Sequence, residues 1–151
     1  MVAERQLFSA IGQVELMRHY AEQFARHGRT VAQVLATKQD FGDRDHYLNM
    51  RHCFTALLEH GVIPIVNEND AVSVSELMFT DNDELAGLVA AMMNAQRLIV
   101  LTSVDGVYRG ELGASELISE LVSDESIDEI VTQGASRFGR GGMRTKLAMA
   151  R

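Results

Sequence analysis

Twice before Asn67 the chain runs an apolar stripe at steps of three and four into a glycine, then into a short apolar segment. In the first pass Leu7, Ile11, Val14, Met17, Ala21 and Phe24 form the stripe and Gly28 stops it. Thr30 to Ala36 (TVAQVLA) then alternates like a strand. In the second, Asp43 is placed to cap a helix over Arg44 to His60, and Gly61 ends it. Val62 to Val66 (VIPIV) follows with the pattern of a strand buried on both faces. Pro64, the only proline, lies inside that run and argues against a central place in a sheet. Helices alternating with apolar strands, without repeats or low-complexity linkers, predict an α/β fold. The expected form is a layered α/β/α sheet, mainly parallel.

Further along, Val72 to Phe79 reads as a short extended excursion. Leu85, Leu88, Val89 and Met92 mark a third helix, with Asp81 and Glu84 at the spacing of a capping box. Leu98 to Leu101 predicts another buried strand, followed by a turn at Asp105-Gly106. Glu116 to Val122 is expected to be extended. Ser123 to Gln133 predicts a helix with Ile127, Ile130 and Val131 inward and Gly134 closing it. A last helix begins near Gly142 and is still running at Arg151. The chain opens almost directly into one helix and stops inside another. Residues 1–151 are therefore expected to be one partial domain, incomplete at both ends.

The 151 residues, 46% of them apolar, are enough for one domain with a real core. A formal charge of −7 argues against a general nucleic-acid-binding face. No run approaches the roughly 18 apolar residues of a membrane span, and the N-terminus lacks a signal-peptide pattern. With Cys53 as the only cysteine there is no disulfide framework or cysteine metal cluster, which points to the cytoplasm. Cys53 lies among Tyr47, Met50, Phe54 and Leu57 in a helical pattern and is expected to be an inert core thiol.

Three polar stretches carry the chemistry. Asn67-Glu68-Asn69-Asp70 follows an apolar strand, and Asp81-Asn82-Asp83 precedes an amphipathic helix, the places where open α/β sheets put ligands. Amides accept a carboxylate without repelling it, and Asp70 can pair with an ammonium. Such a set suits a zwitterion better than a plain anion. Of the second stretch one residue is expected to cap the helix, and three consecutive ones are more than a cap requires. The third stretch, Gly139 to Lys146, sits in a segment from Arg137 to Arg151 that holds Arg140, Arg144 and Lys146 and no carboxylate. Its glycines let backbone N–H groups approach an anion, and Lys146 is placed to reach a transferring phosphoryl group. The spacing is not that of a Walker A loop. Taken singly, each stretch also reads as an ordinary solvated loop or cap.

In order and spacing these stretches resemble the amino acid kinase family. IPIVNENDAV (Ile63 to Val72) is similar to the substrate-loop signature of its glutamate-phosphorylating branch. TDNDELAGLVA (Thr80 to Ala90) resembles its second motif, LTSVDGVY (Leu101 to Tyr108) its nucleotide-base strand and turn, and GRGGMRTK (Gly139 to Lys146) its phosphate segment. The resemblance runs through nearly the whole chain, including Ile11-Gly12-Gln13.

The resemblance implies transfer of the ATP γ-phosphoryl group to the side-chain carboxylate of L-glutamate, the first step of proline biosynthesis. Asn67, Asp70 and Asn82 would bind glutamate, with Asp81 close by. Asp83 would orient catalytic lysines, and Lys146 would stabilise charge in the transition state. Thr102 and Ser103 would line the adenine site. Arg140, Gly141, Gly142, Met143, Arg144, Thr145 and Lys146 would hold the phosphates. Some relatives carry Asp at the place of Ser103. Mg2+ would accompany the nucleotide with no protein metal site, and a homo-oligomer is implied. The family also begins with a lysine-bearing strand and a glycine-rich turn that do not precede Met1. An internal fragment with little or no activity of its own is therefore expected. The alternatives are a sister kinase acting on N-acetylglutamate, aspartate or a nucleoside monophosphate, a non-catalytic amino-acid or nucleotide-binding module, and a plain α/β interaction domain.

Overall fold

The computed structural model describes residues 2–73, 79, 81–103, 105–109, 116–121, 130–131 and 146–147. They belong to two compact units, Met1–Phe79 and Thr80–Arg151.

The first unit opens with helix α1 (Val2–Ala25). It ends where the stop was expected, in a Schellman turn: Arg29 N–H donates to Phe24 O at 3.1 Å and Gly28 N–H to Ala25 O at 3.0 Å. Gly28 takes φ +64, a left-handed backbone that a residue without Cβ adopts at little cost. Of the predicted stripe, Met17 and Phe24 are half-buried, while Leu7, Ile11 and Val14 are exposed.

Strand β1 (Thr30–Ala36) leads through the short helix α2 (Lys38–Gly42) and helix α3 (Arg44–Glu59) to strand β2 (Val62–Glu68). The two strands are parallel, in register from Thr30 opposite Val62 to Ala36 opposite Glu68. Parallel neighbours require such a crossover connection. Asp43 caps α3 as its position predicts, its Oδ1 accepting from Asp45 N–H at 3.0 Å and His46 N–H at 2.9 Å. The His46 N–H foremost holds the Asp43 carboxyl below the usual range. The strand expected over Val62 to Val66 runs two residues further and takes in Asn67 and Glu68. Val62 to Val66 are half-buried, not enclosed on both faces. Among the described residues β2 pairs with β1 alone, and an edge strand is where Pro64 is tolerated.

Among the described residues of this unit Ala36, Phe54 and Phe79 are the buried apolar ones, and Phe79 meets Phe41 edge-on with ring centroids 5.9 Å apart. Cys53 corrects the sequence reading: it is exposed. It lies one position before the buried Phe54, about 100° around the helix from it, and so falls off the covered side.

The second unit contains helix α4 (Asn82–Met92), with Leu85 and Met92 buried. Its end carries a stop that periodicity did not announce. Asn94 at φ +53 closes a second Schellman turn, with Ala95 N–H to Ala90 O at 2.9 Å and Asn94 N–H to Ala91 O at 3.1 Å. Strands β3 (Val107–Arg109), β4 (Glu116–Ile118) and β5 (Ile130–Val131) form an antiparallel sheet in the order β4-β3-β5.

Two expectations fail in this unit. Leu98 to Leu101 is not a buried strand: it has no ladder partner among the described residues, and Ile99 and Leu101 are 78% and 89% exposed. An apolar run becomes a strand only when a neighbour takes its backbone N–H and C=O groups. Ile130 and Val131, expected inside a helix, pair with Arg109 and Tyr108. Both are β-branched, and a ladder suits them better than a helical turn. The rest of Ser123 to Gln133 lies outside the described residues, as do most of Val72 to Phe79 and most of the final helix. Lys146 and Leu147 are helical. No described helix is long and apolar enough to cross a membrane.

Candidate functional site

In the first unit the polar stretch leaves the carboxyl end of β2. Asn67, opposite Leu35 in the ladder, is half-buried, and its Oδ1 accepts from Glu68 N–H at 3.0 Å. Glu68 turns inward, 7% exposed, and its Oε1 accepts from Phe79 N–H at 3.2 Å. That bond satisfies a buried carboxylate from the backbone. Asn69 N–H donates to Ala36 O at 2.8 Å, and Asn69 O accepts from Ser73 Oγ at 2.9 Å and Ser73 N–H at 3.0 Å. The stretch therefore wraps its own strand end.

Asp70, the acid assigned to an ammonium, is held by α1. Its Oδ1 accepts from Arg5 Nη2 and its Oδ2 from Ser9 Oγ at 3.2 Å. Sequence reasoning missed both partners. They lie 65 and 61 residues away, and the only signal was their i, i+4 spacing on one helix face.

Beside this stretch a cavity of about 450 Å³ opens at the carboxyl ends of β1 and β2, lined by Leu35, Thr37, Asp40, Asn69, Val72 and Ser73 among others. Ligands of open parallel sheets bind at such an edge. Asp40 was not singled out from the sequence. Partial burial works against its charge, but it accepts from Thr37 N–H at 2.6 Å and Thr37 Oγ1 at 2.8 Å, and it faces His46 Nδ1 at 2.9 Å. The bonds prevail and hold its carboxyl below the ordinary value, while the bond to Asp40 raises the His46 imidazole.

In the second unit Asp81 is the cap of the three-residue stretch. Its Oδ1 accepts from Asp83 N–H and Glu84 N–H, both at 3.1 Å. The other oxygen, Oδ2, is buried and meets no hydrogen-bond donor among the described residues. An acceptor left so costs about 1–3 kcal/mol, more when charged. Asn82, the first helical residue, is exposed. Asp83, one position on, accepts from Lys146 Nζ at 2.5 Å through Oδ2, with side chains 21% and 22% exposed. Thr102 and Ser103 are exposed and stand outside any helix or strand. Arg140, Gly141, Gly142, Met143, Arg144 and Thr145 lie outside the described residues. Among the described residues no group of three or more His, Cys, Asp or Glu gathers as a metal site.

A helix start that presents a lysine ammonium clamped by a carboxylate is equipped to meet an anion, since the helix dipole and the ammonium have the same sign there. Comparison with known proteins sets this geometry in context. The whole chain, residues 1–151, matches the amino acid kinase family, and it belongs to that family.

The relatives it resembles within the family are glutamate 5-kinases. That of Bacteroides thetaiotaomicron is 55% identical over 99% of this chain, and that of Chlorobaculum tepidum 49% identical over 99%. That of Myxococcus xanthus is 44% identical over 97%. The chain spans 42% of the length of the first two relatives and 40% of the third.

Proposed function

We propose that this chain is the portion of a glutamate 5-kinase that carries the substrate loop and part of the nucleotide site. The complete protein would transfer the γ-phosphoryl group of ATP to the side-chain carboxylate of L-glutamate. The product, γ-glutamyl phosphate, would enter proline biosynthesis in the cytoplasm, and the enzyme would be a homo-oligomer. The observation that carries the reading is the Lys146–Asp83 ion pair at the start of α4, in a chain 55% identical to a named glutamate 5-kinase.

The assignments of individual residues are those that the resemblance to the amino acid kinase family implies. Asn67, Asp70 and Asn82 would bind the amino acid, with Asp81 nearby. Asp83 would hold Lys146 in one place, and Lys146 would offset charge on the phosphoryl group in flight. Thr102 and Ser103 would meet the adenine, and Arg140 to Lys146 the phosphates. A glutamate side chain has a pKa near 4.3, so the nucleophile is ionised at neutral pH and no general base is required. The task is to bring two anions together, and phosphoryl transfer relies on positioning and cations for that.

Magnesium would supply further charge neutralisation on the phosphates. As a hard cation it prefers oxygen donors and keeps several waters. The donor set is compatible with a metal that arrives on the nucleotide: at this helix start Asp81 Oδ1 is engaged as the cap and Asp83 Oδ2 by Lys146. Phosphate oxygens and water would hold it, and no residue of this chain is assigned as its ligand.

Assay of the complete protein with ATP, Mg2+ and a panel of acceptors tests the proposal. ADP release that depends on L-glutamate is expected. Turnover of N-acetylglutamate without glutamate would reassign the substrate, and ATP binding without any turnover would make the protein a binding module. The 151-residue chain by itself is expected to show little or no activity.

A further inference from the structure

We infer that Arg5 and Ser9 are positioning residues for Asp70, and that through it they set the preference for an acidic amino acid. The inference rests on the proposed reading of Asp70 as a ligand of the substrate ammonium. Arg5 and Ser9 stand one turn apart on α1, and each takes a different oxygen of the same carboxylate. One donor on each oxygen fixes the rotation of the Asp70 carboxyl group, which a single bond would leave free.

An ionised carboxylate has roughly four acceptor positions. Arg5 and Ser9 fill two of Asp70's, one on each oxygen, so acceptor capacity remains for an incoming ammonium. The Asp70 side chain is 21% exposed and can be reached from solvent. Glutamate brings two carboxylates with its one ammonium. A lone Asp70 would attract the ammonium and repel both carboxylates. The Arg5 guanidinium on Oδ1 offsets negative charge there, the repulsion falls, and the directed contact to the ammonium stays. The pair is also partly exposed, with Arg5 at 38%, and exposed ion pairs do little for folding. Its main effect is therefore expected on substrate binding.

The test uses the complete protein, with KM for glutamate, KM for ATP, kcat and thermal midpoint measured for Arg5→Gln, Arg5→Lys, Ser9→Ala and Asp70→Ala. Arg5→Gln is expected to raise KM for glutamate about tenfold or more, the scale of a lost hydrogen bond to a charged group. KM for ATP should hold within about twofold on the same scale, and Arg5→Lys should recover most of the loss. Ser9→Ala should shift KM for glutamate in the same direction but less. If Asp70→Ala raises KM for glutamate while Arg5→Gln and Ser9→Ala do not, the inference is overturned and the reading of Asp70 survives. If Arg5→Gln lowers kcat and the thermal midpoint with both KM values unchanged, the contact is only an anchor, which also overturns it. If Asp70→Ala leaves KM for glutamate unchanged, the reading of Asp70 itself fails and the inference fails with it.

Discussion

Lys146 Nζ lies 2.5 Å from Asp83 Oδ2, an ion pair closed across 63 residues of sequence at the first turn of α4. A lysine on four flexible carbons rarely keeps its ammonium in one place. A carboxylate in the first turn of a helix can hold it there, at the end of the helix that favours an anion. If the two residues act as one device, removing either removes it. Lys146→Met and Asp83→Asn in the complete protein are each expected to lower kcat by about 10²–10³, as for loss of a charge-stabilising donor. The double variant should fall no further than the worse single one. Additive losses would mean that the two residues contribute separately.

Asp81 is expected to show two opposing effects. Its Oδ1 caps α4, and replacing such a cap by alanine costs about 0.5–2 kcal/mol. Asp81→Ala should lower the thermal midpoint accordingly. Asp81→Ser keeps a capping oxygen and removes the buried Oδ2, which meets no donor among the described residues, so it should be less destabilising than the alanine variant. A serine variant as unstable as the alanine one would assign the stability to something other than the cap.

The Asp40–His46 contact gives a pH dependence with a definite sign. His46 is raised above its ordinary 6.5, so its contribution is complete below that value and disappears as pH climbs through the higher folded pKa. Asp40 is lowered from 3.8, so its contribution is complete above 3.8 and disappears as pH drops through the lower folded pKa. The contact should therefore stabilise most between the two ordinary values. Thermal midpoints measured from acid to alkaline pH should differ between wild type and His46→Ala inside that window and converge above the His46 titration. The His46 ring protons should titrate above 6.5 by NMR. A midpoint below it would contradict the geometry.

Cys53 offers a direct check on the packing of α3. An exposed thiol should react with a colorimetric disulfide reagent in the native protein without denaturant, and Cys53→Ser should abolish the signal at little cost in stability. A thiol that reacts only after unfolding would restore the core placement first expected for it.

What could be read from the sequence was local. Gly28 and Gly61 stop helices because a left-handed backbone follows the last turn, and Asp43 and Asp81 cap because their carboxylates reach N–H groups two and three residues on. TVAQVLA forms a strand over the residues its alternation marks. What could not be read depends on distant partners. Leu98 to Leu101 has the composition of a strand and no ladder neighbour among the described residues, while Ile130 and Val131 found one in β3. Cys53 shares its helix with Phe54 and differs from it only by a rotation that composition does not encode. In the candidate site Asp83 and Lys146 were singled out by motif. The Arg5 and Ser9 contacts to Asp70 and the Asp40–His46 contact needed the chain to be folded.

The rung that pairs Ala36 with Glu68, followed by the bond from Asn69 N–H to Ala36 O, leaves no slack between Val62 and Asn69. A strand alternates sides at every residue, so one inserted or deleted amino acid there would swing Glu68 outward and put a neighbour against Phe79. Length variation among homologous chains should accordingly collect in the helical crossover from β1 to β2 and be absent from those eight positions. That span acts as a ruler, setting how far beyond the sheet the Asp70 carboxylate is delivered.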